Sequence, residues 1–293
     1  MFTLSVENEG GKRLTLTQDE SNYQIVEIDG LNPANGIINT STVAGMDGGK
    51  FSSSKLDMRN LVITVRINGD VERNRLRLYQ FFRTKHWCKI YYKNGSRDVY
   101  IEGYVETNEC GLFTDSEQMQ VSIVCPDPYF KSMTEIYTDI SEVLGMFVFP
   151  FAFGADGVIP DTITDEAIEF SSYVKNRITN IYNAGGDDTG LIIVITCTGT
   201  VKNPTIYDVN TREGFSLKID LVANDVITIN TNRGQKGVTL QRSGVISSQI
   251  NAVQRDSVWL NLASGENQFI YEADTGSENM NIVFKHRTNY EAV

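Results

Sequence analysis

The chain is short of the side chains from which most reaction and metal centres are built. It has two histidines, His86 and His286, and neither sits in a companion motif. A Ser-His-Asp triad needs an imidazole base and a serine presented in a turn such as G-x-S-x-G, and no such pattern occurs. The four cysteines, Cys88, Cys110, Cys125 and Cys197, show no C-x-x-C pairing. They are expected to be buried reduced thiols, and a zinc centre lacks both its sulfur and its imidazole ligands. No stretch has the alternating acids closed by a glutamate that make a calcium loop. Asp187 and Asp188 read as part of a glycine turn, with cation ligation as the sharper alternative. Gly234-Gln235-Lys236-Gly237 lacks the strand and helix of a phosphate cradle and reads as a hairpin turn. The 37 acidic residues offer many carboxylate pairs for glycoside hydrolysis, and nothing marks one above another. No catalytic, metal or cofactor residue is assigned, and the chain is read as a non-enzyme.

Positive charge is also scarce. With 26 basic against 37 acidic residues the net charge is -11, which removes the overall attraction to nucleic-acid phosphates. One local exception gathers Arg73, Arg75, Arg77, Arg83, Lys85 and Lys89, expected as a solvated face or a surface matched to a neighbouring copy. Long apolar runs are missing. The most apolar stretch, residues 144–153, is ten residues long and interrupted by Pro150, against the roughly 20 needed to span a bilayer. The first residues lack the basic start and apolar core of a secretory signal, so the chain is expected in the cytoplasm, without membrane insertion.

What is present is β-patterning on a chain of 293 residues, 41% apolar and 22% charged, enough for two domains with their own cores. Residues 61–67 alternate strictly, the period of a strand with unlike faces. Asp70 is a good N-cap for a helix over residues 71–84, whose apolar stripe is Val71, Leu78, Tyr79 and Phe82. Arg75 interrupts the stripe, either snorkelling to its rim or pairing with an acid across a subunit boundary. Residues 87–93 and 97–107 read as a hairpin through Asn94-Gly95 in a type I′ turn. A further strand at 119–125 is stopped by Pro126 and Pro128. Upstream, residues 3–7 and 13–17 form a hairpin, and 23–29 is a strand ending in a turn at Gly30-Leu31-Asn32-Pro33.

Residues 36–55, rich in Gly, Ser, Thr and Asn, read as a long structureless loop, either an arm that orders against a neighbouring subunit or a mobile surface hairpin. The candidate interface residues are Gly36, Asn39, Met46, Lys50, Phe51 and Lys55, with Arg75. Residues 131–145 read as a connector with one weak amphipathic turn. Residues 146–153 place aromatics at alternate positions around Pro150, an extended segment pinned in an apolar groove. The rest is strand-like, at 168–170, 192–197, 205–209, 215–221, 226–230, 238–241, 258–262, 267–273 and 280–285. Many short strands with regular turns argue for an antiparallel sandwich, and the lack of helical crossovers excludes a parallel α/β fold.

The order strand, helix, hairpin, strand, ending in Cys125-Pro126-Asp127-Pro128-Tyr129-Phe130, together with Arg75-x-x-Leu78-Tyr79-x-x-Phe82 and Ile101-Glu102-Gly103-Tyr104-Val105-Glu106, resembles the N-terminal domain of the distal tail proteins of tailed bacteriophages. The motifs Asn203-Pro204-Thr205-Ile206, Asp225-x-Ile227-x-Ile229-x-Thr231 and Ser257-x-Trp259-Leu260-x-Leu262-x-x-Gly265-x-Asn267 extend the resemblance over essentially the whole chain.

It implies a mainly β protein. Residues 1–132 would be a sandwich or barrel-like ring domain with one helix, and 133–293 a galectin-like antiparallel β-sandwich. It further implies a hexameric ring at the virion tail tip, assembled in the host cytoplasm. The ring would pass DNA without binding it specifically, continue the tail tube protein above, and dock the tail-associated, tail-spike-bearing hub and the receptor-binding or baseplate proteins below. The alternative is a carbohydrate-binding module reading host glycans through Trp259, Tyr207 and Tyr271, a reading for which fold analogy alone is a poor warrant.

Overall fold

Alternating apolar residues make the first half of the chain a sheet that curls until its two edges meet. A computed structural model describes residues 2–18, 22–42, 44–45, 47–112, 116–140 and 178–293. Met46, the aromatic segment at 146–153 and the strand expected at 168–170 lie outside the described residues. Seven antiparallel strands run in the order Arg13–Leu16, Thr3–Asn8, Trp87–Lys93, Asp98–Cys110, Gln118–Cys125, Arg59–Ile67, Tyr23–Asp29. The edges then join, because the Ile25 amide donates to the Thr17 carbonyl at 2.7 Å and Thr17 bridges Gln24. The closed barrel has no free edge there, which removes a site of non-specific pairing. Leu61, Ile63, Val65 and Ile67 point inward, as do Ile101 and Val105. Gly103 shares that inner face for a steric reason: a Cβ would stand 2.8 Å from the Val124 carbonyl oxygen and the Cys125 sulfur.

The helix, Val71–Phe81, starts as expected, with the Asp70 side chain accepting from the Arg73 amide. Leu78 and Phe82 enter the barrel core, with Val71 and Tyr79 packed at its margin. The helix stops three residues before the expected end at 84. Asn108 donates to the Phe82 carbonyl, and Lys85 takes a left-handed φ of 69°. Asn74, buried on the inner face, was not part of the apolar stripe; it donates to the Asn68 carbonyl at 2.8 Å.

The hairpin at 94–95 forms with different chemistry. Neither Asn94 nor Gly95 has a positive φ, so the type I′ turn is absent. Instead the Asn94 carboxamide oxygen accepts from the Ser96 and Arg97 amides, and the Asn94 amide donates to the Arg97 carbonyl at 2.9 Å to close a four-residue turn. Two short strands, and no helical turn, occupy residues 130–140. Phe130–Ser132 pairs with Asp98–Cys110 and with Asn289–Tyr290, and Ile136–Asp139 pairs with Met280–His286.

The second half packs two antiparallel sheets. One runs Ile136–Asp139, Met280–His286, Thr189–Cys197, Val226–Asn230, Gly237–Arg242, Val245–Ser248; the other runs Ile178–Asn183, Gly265–Glu272, Thr205–Asp208, Gly214–Ser216. Their inner faces share one core, with Phe269 and Phe284 stacked across it at 5.2 Å between ring centroids. The strand expected at 258–262 shrinks to Asn261–Leu262, because residues 257–260 run as irregular chain beside Gly214 and Phe215. The protein is mainly β with one α-helix among the described residues.

A buried carboxylate closes one end of the large sheet. Asp225 is held by three contacts from Arg242 of 2.6–3.1 Å and accepts the Val222 amide at 2.9 Å. The Arg242 hydrogen bonds, more than the other influences, hold the Asp225 pKa below its usual value. That contribution to stability is complete above the unfolded carboxyl pKa of about 4 and fades as pH falls through the lower folded value. Arg242→Leu should therefore destabilise the fold at neutral pH, and the difference from the parent should shrink in acid; urea unfolding at pH 7 and pH 3 measures both.

Candidate docking surfaces

Residues 36–56 form a ribbon of their own. Gly36–Ser41 and Lys50–Leu56 pair antiparallel and join no other sheet. At 36–41 and 50–56 the expected structureless loop is thus a pair of ordered strands, exposed along almost their whole length. Serine and threonine make it look like a loop in sequence, yet both pair well across strands, and Asn39 donates to the Ser53 hydroxyl at 2.9 Å. Pairing runs Ile37 with Lys55, Ile38 with Ser54 and Asn39 with Ser53, then shifts to Thr40 with Phe51 and Ser41 with Lys50. Ser52 is the extra residue of a bulge.

Opposite residues share a face, so Leu56, Ile38 and Phe51 lie on one side and Lys55, Asn39, Ser53 and Lys50 on the other. Ile38 is 66% and Phe51 61% exposed. An uncovered apolar face beside a basic one is a docking geometry. Gly36 starts the ribbon opposite Leu56.

Arg75 is elsewhere. Its guanidinium pairs with Glu72 on its own helix at 3.3 Å and reaches over the Tyr79 ring, so its charge is met at the rim of the packed face. Arg73, Arg77, Arg83 and Lys85 are exposed. Lys89 leaves that group, pairing with Glu102 at 3.3 Å and sitting 3.7 Å above the Tyr100 ring.

The two halves meet at residues that motif reading passed over. Arg59 is 3% exposed, and its guanidinium donates to the carbonyls of Pro128, Gly30, Asn32 and Glu291 while covering the Phe130 ring. Arg97 donates to the Ala292 carbonyl and lies over Tyr290. The Tyr129 hydroxyl donates to Asp187 at 2.5 Å, which uses that acid as a structural acceptor. The only sequence signal for Arg59 is a charge at the start of a run of inward apolar residues. Beside these contacts a cleft of about 510 Å³ opens between Tyr100, Lys131 and Glu135 on one side and Asn232, Lys236 and Lys285 on the other.

Three of the four cysteines, Cys88, Cys125 and Cys197, are buried, and Cys110 is half-buried. Burial pushes the Cys88 and Cys125 thiols up to about 12 and Cys197 to about 11, so all three stay protonated. His286 is buried and burial lowers its pKa, leaving a neutral ring; His86 faces Glu9 at 2.5 Å on the surface. No group of three potential metal ligands occurs among the described residues. Among them, no helix is long and apolar enough to cross a membrane. Trp259 is half-buried with its ring 5.0 Å from Phe215, and Tyr271 is buried, so of the three aromatics considered for sugar stacking only Tyr207 stands exposed.

The described residues thus form a barrel with one helix and a second, antiparallel sandwich, an architecture that comparison with known proteins assigns to a class. A phage tail protein RIFT-related domain matches residues 10–128, and a siphovirus-type tail component C-terminal domain matches residues 184–287. Together they span about three quarters of the chain. The chain belongs to the siphophage distal tail proteins. No curated protein matches the sequence.

Among solved structures, the Dit protein of phage SPP1, described as a paradigm of the hub adsorption apparatus in phages infecting Gram-positive hosts, is similar with a TM-score of 0.67 at 14% identity. That likeness covers 97% of this chain and 98% of that one. A chain of the phage P2 baseplate in its activated conformation with calcium is similar with a TM-score of 0.55 at 10% identity, covering all of both chains. The strontium form gives 0.55 at 11%, again over all of both chains.

Proposed function

We propose that this chain is a hub component at the distal end of the tail, six copies closing a ring that joins the tail tube to the baseplate. Residues 1–132 would form the ring and continue the tube protein. Residues 133–293 would be the platform on which the tail-associated hub and the receptor-binding or baseplate proteins dock. Assembly would take place in the host cytoplasm, ahead of incorporation at the tail tip.

The observation that carries this reading is the ribbon of residues 36–56, an ordered projection with an uncovered apolar face. A head-to-tail ring needs two unlike surfaces on each copy, one to reach and one to receive. Gly36, Asn39, Lys50, Phe51 and Lys55 would belong to the reaching surface, and Met46, expected with them, lies outside the described residues. Arg75, paired with Glu72 on its own helix, stands apart from the ribbon. A net charge of -11 on each copy gives the ring an acidic character that suits passage of DNA without adhesion.

Native mass spectrometry of the full chain, alone and with the tail tube protein, tests the reading. A six-fold assembly is expected. Ile38→Asp combined with Phe51→Asp should abolish it while leaving thermal unfolding within about 0.5 kcal/mol of the parent, because both side chains are on the surface. Assembly unchanged by the double variant would remove the ribbon from the interface.

A further inference from the structure

The cleft where the two halves meet carries positive charge that the protein itself does not neutralise. Three of its four acids are already met by cations: Asp127 by Lys131 at 2.8 Å, Glu135 by Arg287 at 3.6 Å and Glu102 by Lys89 at 3.3 Å. Only Asp188 is left to offset Arg233, Lys236 and Lys285, none of which has a carboxylate within 4 Å among the described residues. Three cations against one acid leave a local positive surplus on a chain whose net charge is -11.

Strand register sets how these groups converge. On the outer face of the large sheet Tyr137, Lys285, Ile192, Asn230 and Gly237 stand opposite one another on five neighbouring strands. Ile192 is thus an apolar floor with Lys285 beside it. Lys236 precedes Gly237, three strand spacings or about 14 Å from Lys285, a gap that two flexible four-carbon stems can close on one anion. Each ammonium lies over an aromatic ring, Lys236 at 5.8 Å from Trp259 and Lys285 at 5.3 Å from Tyr137, which holds the charge without cancelling it. From the barrel side Tyr100 adds a hydroxyl with no hydrogen-bond partner among the described residues, and burial raises its pKa, so it stays a donor. The carboxamides of Gln235 and Asn261, on the sandwich side, are equally free among those residues.

A cleft of about 510 Å³ has the size of a small-molecule site. Carboxylates are best met by the planar fork of an arginine, and the half-buried arginine here, Arg287, is already held by Glu135 and by the carbonyls of Ser132 and Met133. The cations left over on either side of the floor are lysines, compact point charges suited to a phosphate. We propose that the cleft binds a small phosphate monoester, its phosphate between Lys236 and Lys285 and its hydroxyl-bearing carbon chain over Ile192, within reach of Tyr100, Gln235 and Asn261. The site is independent of ring closure, and a ligand in it touches both halves.

Calorimetric titration of the full chain with sn-glycerol 3-phosphate tests this. Saturable binding with a Kd of about 0.1–1 mM is expected, weaker as salt is raised. Lys236→Met combined with Lys285→Met should weaken it about tenfold or more with the Tm unchanged, since neither lysine makes an ion pair. Lys12→Met combined with Lys218→Met removes the same charge outside the cleft and should bind like the parent. No saturation by about 10 mM, equal weakening in the two double variants, or succinate binding as tightly as sn-glycerol 3-phosphate each overturns the site. Inorganic phosphate binding as tightly overturns the place given to the carbon chain.

Discussion

Arg59→Met is expected to lower the unfolding free energy by about 4 kcal/mol, the scale of a buried charge network losing one of its members. Methionine keeps an unbranched apolar stem like that of arginine and omits the guanidinium, so the change chiefly removes that group. That group serves carbonyls of Gly30, Asn32, Pro128 and Glu291, which belong to three separate parts of the chain. Without it those oxygens face a thioether and have no donor at a site only 3% exposed.

Arg59→Lys is the informative control. One ammonium keeps the charge but lacks the planar fork needed to span four carbonyls, so it should recover only part of the loss. Each half of the molecule carries one of the two tryptophans, Trp87 in the barrel and Trp259 in the sandwich. Single-tryptophan variants should therefore show the Trp87 transition moving to lower urea first. A loss below about 1 kcal/mol would mean that the guanidinium is dispensable.

The second large effect is expected at Gly276, where φ is +78° and an added Cβ would stand 1.9 Å from the Thr200 carbonyl oxygen. The obstacle is backbone and cannot swing aside. Gly276 begins the turn Ser277–Asn279 that launches Met280–His286, a strand paired on both sides in the large sheet. Asn279 ties the same turn to Thr200 at 3.1 Å. Gly276→Ala should cost about 3 kcal/mol from strain and clash together, reported by Trp259. Gly244→Ala separates the two causes. Gly244 has φ of +80° with nothing within 4 Å of an added Cβ, so only the left-handed strain of about 1 kcal/mol remains. Equal losses at the two positions would show that the close contact with Thr200 is relieved at no cost.

Much of the fold was legible because period-two alternation is a local property. Strands 61–67, 87–93 and 226–230 can be read from side chains alone, and Asp70 announces the helix by its own chemistry. The rest depends on partners far away in sequence. Phe51 shows this for the candidate docking surface. In an unbroken register it would oppose Ser41 and sit on the lysine face, and the bulge at Ser52 carries it to the face of Ile38. No spacing in the sequence marks that shift. Arg59 is invisible for a related reason, since its four acceptors converge only in three dimensions. The turn at Asn94 misleads in the opposite direction: an Asn-Gly pair suits a type I′ turn, and the carboxamide of Asn94 stabilises a different closure.

The strand Asn289–Tyr290, laid against Phe130 and Lys131, has a mechanical meaning. The chain leaves the barrel for the sandwich through residues 130–136 and comes back to it through residues 286–290. A body tethered once swivels freely, whereas one tethered twice side by side swings about a single axis. Load on the sandwich therefore reaches the barrel along two anchored segments instead of one.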